Sequence, residues 1–475
     1  MSPPLLSLPA DILISILAIS SPEDILSVSQ TCRVLHAFTS NDYIWHQLPD
    51  DLPLDIEPYV DRNNLSGSQL KAIFTRALRV EHNWRKPVSR IQRMARFMDI
   101  DTVSQMQFLG SNWLVTLRRS PLGASLSIWR IADTKKVYRA ALVDVPTPAV
   151  PLKLTASMQK GCSEVLIAIT ASKGSGTLLR VYSVGLKSQM DDGVVMPPPR
   201  AIFNIYRPES EGRFHEVHVC GHIITVGIPK FINHVLRSAE YRILCINSHT
   251  GVQCLVDPHL PDQFAQVHFR LYNQCLVIAG VRSQSTLVIR IYDLPPVLVS
   301  TSPWETSPCG PVEALVTPNA EYETHTITGL DYDLSADSTY HNISHISSIS
   351  FHPLVGKGDD YVFRFPLDSS PRKDFDKRPS FFYPFTTHSS ASAEIVCLGE
   401  TGHRAVWLER RWTSDEYTLM KATFSPNKPV VVAPLLARNL ALPFELHTCQ
   451  SLAFDESTGR VCLALHTGEL YILEF

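Results

Sequence analysis

Two hydrophobic rhythms divide the chain. Over residues 8–48, LPADILISILAISSPEDILSVSQTCRVLHAFTSNDYIWHQL, apolar positions recur at helical spacing. Pro9 suits a first helical position, because its fixed φ and missing N–H cost nothing there. Asp11 falls in the first turn, where the positive end of the helix dipole favours an acid. Ile12, Leu13, Ile16 and Leu17 then form one stripe. Ser21-Pro22-Glu23-Asp24 marks a second start, with Ser21 as N-cap and Pro22 behind it. Ile25, Val28, Cys32 and Leu35 continue the buried face of that second helix, and Trp45 and Leu48 follow on a short closing turn. Leu8, Pro9, Ile12, Leu13, Ile16 and Leu17 together are more than so small a bundle can cover, so some are expected to remain exposed.

Residues 69–84, QLKAIFTRALRVEHNW, repeat the helical period, with Leu70, Ile73, Phe74, Ala77 and Trp84 on one face. Basic residues crowd this neck: Lys71, Arg76, Arg79, Arg85, Lys86, Arg90, Arg93 and Arg96 stand against Glu81. Such a run suits an acidic partner or a nucleic-acid patch, or simply the solvated face of a connector helix running into an edge strand.

From about residue 100 the period falls to two, in β-branched and aromatic runs separated by Gly, Pro, Asn, Asp and Ser. One element recurs: apolar, any, apolar, aromatic, any, apolar. It stands at 126–131 LSIWRI, 179–184 LRVYSV, 289–294 IRIYDL and 362–367 VFRFPL, with a degenerate copy at 470–475 LYILEF. Its first and third residues belong on one sheet face and its aromatic on the other. Trp129, Tyr182, Tyr292 and Phe365 should therefore sit equivalently between successive sheets. Residues 295–345 form the main insertion, and 187–200 and 366–380 are further polar stretches, all read as surface loops. The Ser-Pro and Thr-Pro pairs at 147, 302, 307 and 370 are candidate phosphorylation sites or simply mark turns.

The N-terminal segment resembles an F-box, the adaptor-binding module of SCF-type ubiquitin ligases. The residues that carry the likeness are Leu8, Pro9, Asp11 (where the family has Glu), Ile12, Leu13, Ile16, Leu17, Pro22, Asp24, Ile25, Leu26, Cys32, Arg33 and Trp45. The departures are Ser20, Gln30 and Thr31, where the family prefers apolar residues, which bears on core packing and adaptor affinity. The recurring element resembles the third strand of a WD-type propeller blade with its Trp-Asp pair softened; no Trp-Asp dipeptide occurs. The expected fold is thus α+β and multidomain, a small all-α F-box followed by a mainly-β propeller of about seven blades. The F-box is assigned to 5–50, a helical neck to 51–98 and the propeller to 99–475. The last strand, 470–475, is expected to close the ring beside one near 90–97, because closure leaves no open sheet edge.

By resemblance, Leu8, Pro9, Asp11, Ile12, Leu13, Ile16, Leu17, Ile25, Leu26, Cys32, Arg33 and Trp45 would bind the Skp-family adaptor, and through it a cullin scaffold. The propeller would hold a protein substrate, at residues the pattern does not name. Arg130, Arg180, Arg290 and Arg364, beside the repeated element, are candidates to read phosphate bidentately or else to be salt-bridged between sheets. The competing readings are a non-catalytic propeller scaffold acting outside ubiquitination and a propeller enzyme.

Charge and chemistry narrow this further. Lys+Arg 43 against Asp+Glu 46 gives net −3, so no global field draws nucleic acid or membrane. Ten cysteines form no CxxC pair and fall in strand-like runs, as reduced thiols of a cytoplasmic or nuclear protein do. His215-Glu216-Val217-His218 is one residue short of the helical zinc motif, and His218, Cys220 and His222 share a strand face without a fourth ligand. No Walker or dinucleotide glycine pattern is present. No cofactor, metal or catalytic residue is expected.

Overall fold

The alternating runs fold into seven sheets of four or five strands, arranged in sequence order. The computed structural model describes residues 7–475 except 49–51, 58–59, 100, 121–122, 134–135, 146–149, 160–162, 187–198, 233–234, 237, 262–263, 273–274, 283–285, 300–310, 325–330, 335–344, 352–359, 367–380, 386–390, 426–427 and 438–439. The first strand of each sheet touches the first strand of the next, and the seventh returns to the first. The sheets are therefore blades of a closed ring with their first strands innermost. Blades 1 to 7 begin at Val103, Val150, Val217, Phe264, Asp331, Ala391 and Cys449. Blade 7 takes its fourth strand from ahead of the ring: Arg93–Met98 pairs antiparallel with Glu469–Glu474, Arg93 opposite Glu474. The ring is closed where the closing strand was expected. This closure also moves the propeller boundary back into the segment assigned to the neck.

Each recurring element lies on the third strand of its blade, and all five copies do so. Leu126 and Ile128 pack toward blade 2, while Trp129 packs on the opposite face against blade 7, 4.8 Å from the Phe97 ring. Tyr182 faces blade 1 and Tyr292 faces blade 3, both buried. The Phe365 side chain falls outside the described residues.

The insertion proves to be partly ring. Ala320–Thr324 is the outer strand of blade 4, Asp331–Leu334 opens blade 5, and Val312–Leu315 adds a parallel fifth strand to blade 3. In the blade 4 strand Tyr322 is buried, while Glu321 and Glu323 pair with Arg290 and Arg282 of the neighbouring strands. Its acids answer basic neighbours, so charge there does not signal a loop. The Ser-Pro and Thr-Pro pairs, residues 187–198 and residues 367–380 lie outside the described residues.

Neighbouring strands run antiparallel, so a blade puts its first and third turns on one face of the ring. Its second turn and the connection onward lie on the other. The neck docks on the first-and-third-turn face, between blades 6 and 7. Helix α5 (Gly67–Trp84) opens with a capping box between Ser66 and Gln69 and runs without an internal Gly or Pro. Leu70, Phe74 and Ala77 belong to the core of the N-terminal hook. Val80 and Trp84 belong to the cluster between blades 6 and 7. Gly459, in the first turn of blade 7, has φ +69°, and a Cβ there would lie 2.9 Å from Val80 and 2.8 Å from Trp84. Only glycine allows both that turn and that approach.

Polar contacts set the angle of docking. Arg404 of blade 6, wholly buried, donates to Glu81 Oε2 at 2.8 Å and to the Glu456 carbonyl of blade 7 at 2.7 Å. Asn83 bonds both the N–H and the carbonyl of Arg90, turning the chain toward the ring. Lys421 of blade 6, also buried, donates to the Lys86 carbonyl at 2.7 Å and the Ser89 hydroxyl at 2.6 Å, and burial pushes its pKa down to about 8.

Two outcomes follow from this packing. Tyr292→Ala is expected to cost about 3–5 kcal/mol in urea unfolding, as for a large buried ring. Tyr292→Phe should cost only about 1–2 kcal/mol, the loss of the bond its hydroxyl donates to the Pro258 carbonyl at 3.0 Å. Burial pushes the Glu81 carboxyl up, but Arg404 and Arg85 outweigh it and hold it below its ordinary 4.5. The contribution of this ionised group is therefore full above that value and is lost as pH falls through the lower folded one. Glu81→Gln should cost about 3–5 kcal/mol at pH 7, because Arg404 stays buried. That difference should shrink when unfolding is measured at about pH 3.

Candidate functional site

The hook consists of α1 (Ala10–Ala18), α2 (Pro22–Ser29), α3 (Arg33–Thr39) and α4 (Asp42–Gln47), packed against the start of α5. Ser21 caps α2 as its sequence requires, accepting from the Asp24 N–H at 3.1 Å. The single second helix expected through Leu35 is instead two. Cys32 is extended (φ −156°, ψ 165°) and caps α3, while the Ser29 and Thr31 hydroxyls donate back to the Leu26 and Val28 carbonyls. The Gln30 and Thr31 N–H groups bond the Ser27 and Val28 carbonyls, each at 3.1 Å, and these tighter i to i−3 bonds end α2. Trp45 sits within α4 at zero exposure, its indole donating to the Thr39 carbonyl at 2.7 Å. Arg62 closes the far end of α4, bonding the Trp45 and Leu48 carbonyls.

Helix α1 is apolar on two sides. Leu13 and Leu17 point into the hook core, whereas Ile12, Ile16 and Ile19 are 44%, 39% and 87% exposed. Spaced i, i+4, i+7, those three isoleucines form an outward stripe that stays exposed among the described residues. Pro9 and Asp11 are exposed beside it, and Leu8 is half-buried. Leu26 and Cys32 are half-buried and Arg33 is exposed. Leu13, Leu17, Ile25 and Trp45 belong to the core and do not present themselves to a partner as expected. They hold the presenting helix in place. Ile19, Val34 and Tyr43 are exposed apolar residues that the sequence reading passed over. Ile19 simply extends the α1 stripe by one turn.

Residues 5–56 match the model of the F-box-like family. The hook is an F-box-like domain. With the ring behind it, the chain has the architecture of an F-box protein carrying a propeller, an arrangement typical of non-enzymatic adaptors. The family-atypical Gln30 and Thr31 are exposed on the F-box surface, so they do not loosen its core. Ser20 donates to the Ile16 carbonyl at 2.8 Å.

A buried charged group lies at the head of the first strand of blade 3. Glu216 is buried, bonds His268 Nδ1, and accepts from the Phe269 N–H of blade 4 at 3.1 Å. Burial opposes its charge, but His218, His268 and Arg270 outweigh that and hold its carboxyl well below the usual range. Gln107 plays the same part between blades 1 and 2, exchanging bonds of 2.9 and 3.0 Å with the Ala156 backbone. Gln105 accepts from the Leu154 N–H there as well. A side chain from one inner strand thus satisfies the backbone edge of the next. Glu216 is a charged version of that device, saturated by its partners. His222 lies 5.1 Å from the His249 ring. Among the described residues no group of three or more His, Cys, Asp or Glu is placed to hold a metal.

The candidate phosphate-reading arginines are used within their own sheets. Arg290 pairs with Glu321 at 2.7 Å and lies over Phe264, Arg130 lies over Trp113, and Arg180 is 3.4 Å from Asn204. The Arg364 side chain is outside the described residues.

Proposed function

We propose that this chain is a substrate-recruiting subunit of an SCF-type ubiquitin ligase, working in the cytoplasm or nucleus. In this reading its F-box docks on the Skp-family adaptor, and through it on a cullin, while the propeller carries a protein substrate. The observation that supports it most directly is the outward stripe of Ile12, Ile16 and Ile19, an uncovered apolar surface on the helix that matches the family. Pro9 and Asp11 flank that stripe and would complete the contact. Full burial of an exposed isoleucine is favourable by about 1.5–3 kcal/mol, so Ile19 gains most and the partly exposed Ile12 and Ile16 proportionately less, before the losses of association. Substrate is assigned to the ring rather than the F-box, because a many-loop disc presents a broad surface on a rigid frame. No described helix is long and apolar enough to cross a membrane.

The test is co-purification. Ile12→Asp with Ile16→Asp should abolish capture of the adaptor while leaving the thermal unfolding midpoint near wild type, since both side chains already face water. Leu13→Ala should instead lower that midpoint. Undiminished adaptor capture by the double variant would remove the docking assignment. Ubiquitin-remnant profiling after deletion of the protein should then reveal stabilised substrates; adaptor binding without any such change would favour a scaffold role outside ubiquitination.

A further inference from the structure

Hook, neck and ring enclose a cleft of about 790 Å3. Helix α2 contributes Glu23 and Leu26, α5 and the turn after it contribute most of the lining, and the third turn of blade 6 contributes Lys428. Five permanent cations line it, Arg79, Arg85, Lys86, Arg90 and Lys428, with His82, against the two carboxylates of Glu23 and Glu81. In a chain of net charge −3 this is a local concentration of positive charge.

The carboxylates neutralise only part of it, pairing with Arg85 and Lys428. Glu81 is engaged by Arg404 and Arg85, and Glu23 lies 3.4 Å from Lys428 across exposed surface. The exposed side chains of Arg79, Lys86 and Arg90 reach no carboxylate among the described residues. Arg85 donates to Glu81 and to the Pro429 carbonyl, yet its Nη2 has no acceptor. Like charges confined in one cleft repel, and an anion placed among them relieves the repulsion.

We propose that this cleft binds a small polyanion carrying several phosphate groups. Guanidinium forks pair with phosphate oxygens bidentately, and ammonium groups add point charges beside them. The volume lies in the range of about 300–1,000 Å3 typical of small-molecule sites. The surplus of cations in its lining favours an anionic occupant over a neutral or cationic one. The occupant touches α2, α5 and blade 6 together, so it also braces the F-box against the ring.

The experiment uses the full chain and inorganic tripolyphosphate. Calorimetric titration should give saturable binding at one site, and the unfolding midpoint should rise with ligand concentration. Arg79→Glu, Lys86→Glu and Arg90→Glu together should weaken binding at least tenfold, whereas Lys153→Glu, Arg213→Glu and Lys230→Glu, on blades 2 and 3, should not. Should the triple cleft variant fail to fold, Arg79→Gln with Arg90→Gln keeps the surface nearly neutral and should still weaken binding. Capture on phosphoinositide vesicles, competed by tripolyphosphate, would assign the phosphates to a lipid headgroup; indifference to vesicles with tight tripolyphosphate binding would assign a soluble ligand. Equal binding by the cleft variant and wild type overturns the proposal. So does the absence of saturation, or binding of a polyglutamate peptide where tripolyphosphate fails.

Discussion

A carboxylate and a guanidinium buried together at the foot of one helix set the angle on which the rest of the molecule depends. Trp84 supplies non-directional attachment, filling the space between blades 6 and 7 beside Phe454 and Phe475. A ring alone could settle there in several orientations. The Glu81–Arg404 pair, the double bond of Asn83 to Arg90 and the Lys421 ammonium on the Lys86 carbonyl each demand one geometry. Burying such groups gains little net stability over an apolar patch, but it excludes alternative dockings. Because α5 then enters the hook core through Phe74, 6.0 Å from Trp45, the F-box inherits the same orientation. No glycine or proline interrupts the helix between those two cores, so there is no hinge to relax it.

The hook was legible because its signals are local. A proline start, a serine cap and helical apolar spacing need no tertiary knowledge, and each landed within a residue of its place. The break between α2 and α3 was not legible. Cys32 and Val28 fit the buried spacing, and only the extended backbone at Cys32 shows that the helix has stopped. Exposure was legible in amount but not in identity. Leu8, Pro9, Ile12, Leu13, Ile16 and Leu17 were set against one small core, and which of Ile12 or Leu13 faces outward is decided by how α1 lies on α4.

The ring was legible wherever the third strand kept its aromatic. Blades 3 and 6 lacked the signal for different reasons. In Arg242–Asn247 the aromatic place is taken by Ile246, buried against blade 2, a change of shape but not of chemistry. In Tyr417–Ser425 the corresponding places hold Lys421 and Ala422. A lysine in a buried strand position breaks the apolar rule, and the neck explains it: Lys421 faces the connector rather than another blade. The repeat is most degraded where the ring must also receive the helix. Likewise the acids of Ala320–Thr324 resembled a loop because their partners, Arg290 and Arg282, lie some thirty to forty residues away.

The two faces of the ring are therefore unequal. The face of first and third turns is occupied near blades 6 and 7 by the neck, and its basic cleft lies there too. On the other face blade 3 inserts a hairpin, Phe231–Ile232 with Val235–Leu236, into its second turn, and Phe231 stands half exposed on it. Helix α5 has one end in the hook core and the other between blades 6 and 7, and its uninterrupted course fixes the direction between them. A flexible tether would spread that direction over many arrangements, and a reaction between two bound proteins would slow accordingly. The buried pair at the base of α5 is thus the step that converts a helical hook and a disc into one rigid arm.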